Sequence, residues 1–355
     1  MKALVLSGGA GTRLRPFSYS MPKQLIPIVN KPVLEYAVEN IVDLGVSDIA
    51  VIVGDRAAQI TEALGDGSRF GARITPIHQD RPRGLAHCVE LARPFLGDDD
   101  FVMYLGDNML PEGITKIAEE FRADRPAAQI VVSKVPDPRA FGVAELDADG
   151  AVVGLEEKPN RPRSDLALIG VYFFTSAVHQ AVAAIEPSAR GELEITDAIQ
   201  WLLTHGHGVK AGEYDGYWKD TGKADDVLEC NRHLLGALNR RVDGDVDAAS
   251  ELVGPVVVEH GARVVRSRIV GPVVIGAGTL VEDSRIGPDT SIARDCVLRA
   301  TQLTDSIVMA GASITQVPGL HGSLIGRSAS IGPSDHAEAH HRLVVGDHTH
   351  VEVAA

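Results

Sequence analysis

The chain has 355 residues, 45% of them hydrophobic, a net charge of −14 and three cysteines. That length calls for two domains with ample core, and the acidic balance excludes a nucleic-acid binder held by bulk electrostatics, so an anionic ligand needs a few placed cations. No apolar run reaches the ~18 residues of a membrane span, and Cys88, Cys230 and Cys296 are too scattered for a disulfide framework, which points to a soluble protein of a reducing cytoplasm.

An apolar stretch, Ala3 to Leu6, runs at once into "SGGAGTRLRP", with Lys23 just beyond. Three patterns compete for it. A secretory signal needs an apolar region of ~7–15 residues, and this one has about five. A dinucleotide-binding turn, G-x-G-x-x-G, would use Gly9 and Gly11, but Leu14 stands at the third glycine. Glu35, near the spacing expected of a ribose-binding acid, sits inside an apolar helical pattern. A Walker A loop needs a Gly-Lys pair that is missing here. What remains is a strand followed by a glycine loop whose bare N–H groups wrap an anion, with cations supplied downstream.

From there to about residue 230, short apolar runs alternate with amphipathic stretches. "ALVLSG", "IAVIVG", "ARITPIHQ", "DFVMYLGDN" and "AQIVVSKV" read as strands. "VLEYAVENIVDLG", "QITEALGDG", "LAHCVELARPFL" and "ITKIAEEFRAD" read as helices, several ending at Gly or Asp-Gly. Strands apolar throughout and separated by helices predict a parallel sheet covered on both faces, with ligands at the strands' carboxyl ends. "SGGAGTR" and "GDN" both fall there. Cys88 reads as buried filler rather than a reactive thiol, and His87 is given no role.

A last helical segment, "ADDVLECNRHLLGALNRR", precedes "VDGDVDAAS", small and polar, which reads as a linker. Beyond it Ile269, Ile275 and Val281 are six apart, as are Ile286, Ile292 and Leu298 after a one-residue slip, and then Ile325 and Ile331. This period predicts a left-handed parallel β-helix with stacked aliphatics, against a β-sandwich with chance spacing. "QVPGLHG" and "DHAEAHH" read as interruptions. His336, His340 and His341 have helical spacing that suits a transition metal, but a surface loop is the expectation.

Asp107 follows an apolar strand in "LGDN", and Asp220 lies in the polar turn "YWKDTGK". Each alone reads as a turn residue. Together, beside a phosphate-type loop, they suit Mg²⁺, which takes one or two protein carboxylates plus phosphate oxygens.

"GGAGTRLRP", "PKQLIPIVNKP", "QDRPRGLAHC", "YLGDNML", "FGVAEL", "EEKP", "LIGVYFF", "RGELEITDAIQWL" and "YWKDTGK" together resemble the sugar nucleotidyltransferases. The chain is most similar to the glucose-1-phosphate thymidylyltransferases of actinobacterial antibiotic deoxysugar pathways, in the long form with a β-helix tail. The resemblance implies an α/β fold. A Rossmann-like, mostly parallel sheet nucleotidyltransferase domain over 1–240 would precede a left-handed parallel β-helix of hexapeptide repeats over 250–355. It implies thymidylyl transfer from dTTP to α-D-glucose-1-phosphate or a related hexose-1-phosphate, giving dTDP-glucose and pyrophosphate, with Mg²⁺ as cofactor. A cytoplasmic homo-oligomer is expected, with no nucleic-acid or membrane partner; exposed β-helix edges favour assembly.

Carried over by position, Gly8, Gly9, Gly11 and Thr12 would approach the nucleotide, Arg13 and Lys23 would hold its phosphates, and Gln79 and Gly84 would read the thymine. Asp107 and Asp220 would bind Mg²⁺. Asn108, Gly142, Glu157, Lys158, Ile169 and Gly170 would line the sugar-phosphate site, with Lys158 on the phosphate. The resemblance implies Arg13, Lys23, Asp107 and Lys158 as the catalytic set. Three alternatives stand beside this: another NTP or a cyclitol phosphate, an acyltransferase activity in the β-helix using His260 or His321, and a nucleotide-sugar sensor without turnover.

Overall fold

The computed structural model describes residues 1–9 and 11–333, so His336, His340 and His341 lie outside the described residues. Two compact units emerge: Met1–Ala10 with Val33–Asp220, and Gly11–Pro32 with Thr221–Ala355.

The first unit is built on a nine-stranded sheet. Strands Arg73–His78, Asp48–Val53, Lys2–Leu6 and Phe101–Leu105 lie side by side and parallel. Leu4, Leu6, Ala50 and Ile52 pack against Ala86, Val89 and Ala92 of the helix Leu85–Leu96, while the alternate residues Ala3, Val5, Ile49 and Val51 are buried as well. Both faces are therefore covered, as continuous apolar strands require.

The parallel order stops at Phe101–Leu105. The next strand, Leu166–Phe174, is buried along its whole length but runs antiparallel to Phe101–Leu105, to Ala128–Lys134 and to Gly142–Leu146. The sheet is thus mixed rather than mostly parallel. An antiparallel strand buried on both faces carries the same unbroken apolar run as a parallel one, so composition does not separate them.

Among the described residues of the second unit, short parallel strands stack into three ladders of six, six and five strands, the three-sided coil of a left-handed β-helix. Val264, Val281, Leu298, Ile314 and Ile331 form one column, Val258, Ile275, Ile292, Val308 and Ile325 another, and Ile269, Ile286, Leu303 and Leu320 the third. The five-residue step from Val281 to Ile286 recurs from Leu298 to Leu303, so the slip is a regular short corner. Ser267 N–H donates to Ser250 Oγ, Ser284 N–H to Ser267 Oγ and Thr301 N–H to Ser284 Oγ, each 17 residues apart, which satisfies the buried corner backbone.

Two sequence expectations change here. The stretch 242–250 is no linker: Arg241–Val242 and Asp245–Val246 already pair with Val256–Val258 and Arg263–Val265. Nor does "QVPGLHG" break the coil, because Leu320–His321 pairs with Leu303 and Thr304.

Candidate active site

The carboxyl ends of the parallel strands bring Gly8 and Gln79 together. Ser7 Oγ donates to Ile52 O (2.7 Å) and Gln79 N–H to Val53 O (2.8 Å), so both loops leave the sheet from adjacent points. A Cβ on Gly8 would stand 3.4 Å from Gln79 Oε1. Gln79 is buried, and its Nε2 faces His87 Nδ1 (3.0 Å) and Cys88 Sγ (3.3 Å). Gly84 has φ +100°, and a Cβ there would collide with Leu193 O, the same oxygen that accepts from Ala86 N–H (3.0 Å). Only glycine fits both constraints.

Past the Phe101–Leu105 strand, Asp107 and Asn108 are both buried. Asn108–Met109 pairs antiparallel with Lys219–Asp220, placing Asp220 opposite Asn108. The two predicted metal carboxylates therefore sit one residue out of register on paired strands. Asn108 is braced: its Nδ2 donates to Asp107 Oδ1 (3.3 Å) and its Oδ1 accepts from Trp218 Nε1 (2.8 Å). The Trp218 ring meets Phe141 edge-on at 5.2 Å.

Of the residues expected on the sugar side, Gly142 and Lys158 adjoin Glu157, which pairs with Gly142 at the end of the Val152–Glu157 strand. Lys158 takes φ 46° and donates its N–H to Phe141 O (2.9 Å). Glu157 accepts from Thr196 Oγ1 (3.3 Å) and Arg190 Nη2 (3.3 Å), and Lys158 Nζ lies 3.4 Å away. Burial pushes the Glu157 carboxyl above its usual range; the Lys158 charge opposes that, and the Glu194 charge adds to it. Arg190 also clamps Glu194 (2.8 Å), which accepts from Ser188 Oγ (2.8 Å). Ile169 is fully buried, and Gly170 beside it has φ +79°, with a Cβ position 2.9 Å from Asn108 Nδ2.

Gly11, Thr12, Arg13 and Lys23 belong to the second unit. Gly11 caps the short helix Thr12–Leu14, and a Cβ on it would stand 3.4 Å from Lys23 Cβ, so the Lys23 stem passes over the glycine. Thr12 and Arg13 are exposed. Arg15 lies over the Tyr19 ring at 5.0 Å.

The predicted residues thus fall into clusters: Gly8 with Gln79, Asp107 with Asn108, Gly170 and Asp220, Gly142 with Glu157 and Lys158, and Gly11 with Lys23. Arg190, Glu194, Thr196, Trp218, His87 and Cys88 were not assigned from sequence. "RGELEITD" signals charge pairing, but nothing local tells that Arg190 reaches Glu157, 33 residues upstream.

The oxygen donors fit Mg²⁺. Among the described residues no group of three or more His, Cys, Asp or Glu converges on a point, and a pair of carboxylates is a donor set that suits Mg²⁺, a cation that takes few protein carboxylates. None of these side chains is poised as a nucleophile beside a base; they can bind, align and neutralise charge.

Such a site suits the joining of two phosphates, and the chain belongs to the nucleotidyl transferase family, whose model matches residues 2–236. Among the relatives it resembles along its whole length are the glucose-1-phosphate thymidylyltransferases of Streptomyces griseus (53% identical, covering 100% of both chains) and Streptomyces antibioticus (54% identical, 99% of both). A Bacillus anthracis structure described as a glucose-1-phosphate thymidylyltransferase in complex with a sucrose superposes with a TM-score of 0.63. It is 34% identical and covers 68% of this chain and 97% of its own.

Proposed function

We propose that this protein transfers a thymidylyl group from dTTP to α-D-glucose-1-phosphate, releasing pyrophosphate and dTDP-glucose. The full-length likeness to two enzymes of that name carries the reading. A sugar phosphate is already an anionic nucleophile, so the reaction is an in-line attack on the α-phosphorus that needs no covalent intermediate or strong base. The chain's part is placement and charge. Gln79 and Gly84 hold the base, Arg13 and Lys23 the phosphates, and Lys158, steadied beside Glu157, the acceptor phosphate. Asn108, fixed by Trp218, holds the sugar, with Gly142, Ile169 and Gly170 shaping its wall. Asp107 and Asp220 would hold Mg²⁺, which when bound neutralises phosphate charge and orients the phosphate oxygens.

Residues 1–240 would carry the transfer and the β-helix would serve folding and assembly into a homo-oligomer in the cytoplasm. His260 and His321 are both exposed on the coil, and His321 Nδ1 lies 2.9 Å from Thr304 Oγ1, which gives an acyltransferase base little support.

A pyrophosphate-release assay across an NTP-by-sugar-phosphate grid tests the reading, with dTTP and glucose-1-phosphate expected as the best pair. A preference for ATP or GTP would overturn the thymidylyl assignment. Asp107→Asn and Asp220→Asn should each nearly abolish turnover, and the double variant should be little worse than either, because groups serving one ion are non-additive. Full activity in one single variant would remove that residue from the site.

A further inference from the structure

We propose that His87 and Cys88 are positioning residues that lock the Gln79 carboxamide in one orientation, with its oxygen outward, and thereby select bases that carry a ring N–H. The proposal rests on Gln79 as the base-reading residue and adds what decides its choice.

A glutamine amide is ambiguous by shape, because oxygen and nitrogen are nearly the same size and a half-turn exchanges an acceptor for a donor. In a reader of bases that half-turn inverts specificity. Thymine and uracil present N3–H between two carbonyls, whereas cytosine presents an unprotonated N3. An outward Oε1 accepts from the first and opposes the lone pair of the second.

The hydrogen bonds around Gln79 remove the ambiguity. Cys88 Sγ donates to Gly84 O (3.6 Å), one turn back at the start of its helix. With the thiol hydrogen directed there, the sulfur lone pairs face Gln79, and the group at 3.3 Å must be the donor, Nε2. Cys88 is buried and its pKa is pushed up to about 12, so the thiol keeps that hydrogen across the working range. The second amide hydrogen points to His87 Nδ1 at 3.0 Å, which must then be the unprotonated ring nitrogen. Both donors of Nε2 are used within the helix Leu85–Leu96, and Oε1 is turned to Gly8. The three side chains are each less than 10% exposed: Gln79 8%, His87 6% and Cys88 4%. A reversed amide would set its oxygen against the sulfur lone pairs and would require His87 to carry its proton on Nδ1.

The test compares dTTP with dCTP, two pyrimidine nucleotides that differ at N3, at the 4-substituent and in the 5-methyl group, so each variant's ratio is read against the wild-type ratio. KM for each, kcat, and KM for glucose-1-phosphate are measured on the full-length protein and on His87→Leu, His87→Asn and Cys88→Ala. His87→Leu should raise the dTTP KM roughly tenfold, the size of one lost hydrogen bond, and narrow the dTTP-over-dCTP preference. Its kcat and sugar-phosphate KM should hold. His87→Asn can place Oδ1 where Nδ1 stood and should recover most of both losses. Cys88→Ala should have a smaller effect in the same direction.

An unchanged dTTP-to-dCTP ratio in His87→Leu overturns the proposal, as does His87→Asn behaving like His87→Leu. If His87→Leu does not fold, an unchanged ratio in Cys88→Ala overturns it equally. A wild-type enzyme that prefers dCTP or ATP also sinks it. One that uses dTTP with a different sugar phosphate supports this inference while refuting the acceptor assignment above.

Discussion

Adding one methyl group at Gly170 should disturb both stability and acceptor binding. The residue has φ +79°, and its Cβ would lie 2.9 Å from Asn108 Nδ2 and 3.0 Å from Asn108 Cγ and Leu105 Cδ1. The leucine tip can swing away. The asparagine amide cannot move freely, because it is tied to Asp107 on one side and Trp218 on the other. Gly170→Ala therefore meets two terms: about 1 kcal/mol for an L-residue in the left-handed region, and about 1 kcal/mol for a buried hydrogen bond stretched or lost as Asn108 yields. Their sum, about 2 kcal/mol, corresponds to a fall of about 4–8 °C in Tm for a domain of this size. Because Asn108 adjoins Asp107, the displacement should also raise the sugar-phosphate KM and the Mg²⁺ concentration needed for half-maximal rate, with the dTTP KM little changed. Thermal melts and three titrations give the answer. A Tm within about 1 °C of wild type together with an unchanged sugar-phosphate KM would refute the bracing argument.

Three further outcomes are expected. Lys158→Ala removes one charge-assisted contact worth ~1.5–3 kcal/mol, so its sugar-phosphate KM should rise roughly 10–150-fold while the dTTP KM holds. Arg13→Ala should show the reverse, and a Lys158→Ala enzyme with normal sugar-phosphate KM would misplace the acceptor site. Burial raises the Glu157 pKa, so folding shifts its carboxyl toward the neutral form relative to the unfolded chain, against the opposing charge of Lys158. Its contribution to stability is full below the ordinary glutamate pKa and declines as pH rises through the raised value. Wild type should thus gain stability relative to Glu157→Gln in denaturant melts as pH falls from neutral to the ordinary glutamate range, and a gap that stays flat or shrinks would contradict the assignment. Asn231, fully buried in the second unit, accepts from Val29 N–H (3.0 Å) and Ser291 Oγ (2.6 Å) and donates to Asp289 O (3.2 Å), tying the 11–32 segment to the coil. Asn231→Ala should lower stability by about 2 kcal/mol and raise the dTTP KM through Arg13 and Lys23, and an unchanged dTTP KM would show that segment to be self-supporting.

Features written in neighbouring residues were legible without coordinates. The helix Leu85–Leu96 matches its sequence pattern end to end, because glycines flank it and its apolar spacing repeats within the segment. The three sides of the β-helix were visible as a six-residue period because successive inward aliphatics, such as Ile269, Ile275 and Val281, fall one on each side and lie close along the chain. The regular short corner looked like a single slip, since one coil does not reveal that the next repeats it. The strand ends holding Asp107 and Asp220 could be read as carboxylate turns, but their pairing needed the antiparallel ladder from Asn108–Met109 to Lys219–Asp220. Tertiary structure alone decided the direction of Leu166–Phe174, because burial on both faces erases the alternation that would betray an antiparallel strand. It alone decided that 242–250 pairs into the coil, because small polar residues suit a linker and a tight corner equally well. The partners of Glu157 and Gln79 were equally hidden. A side chain's protonation and orientation depend on which groups surround it in space, and those groups come from segments whose spacing along the chain carries no period to read.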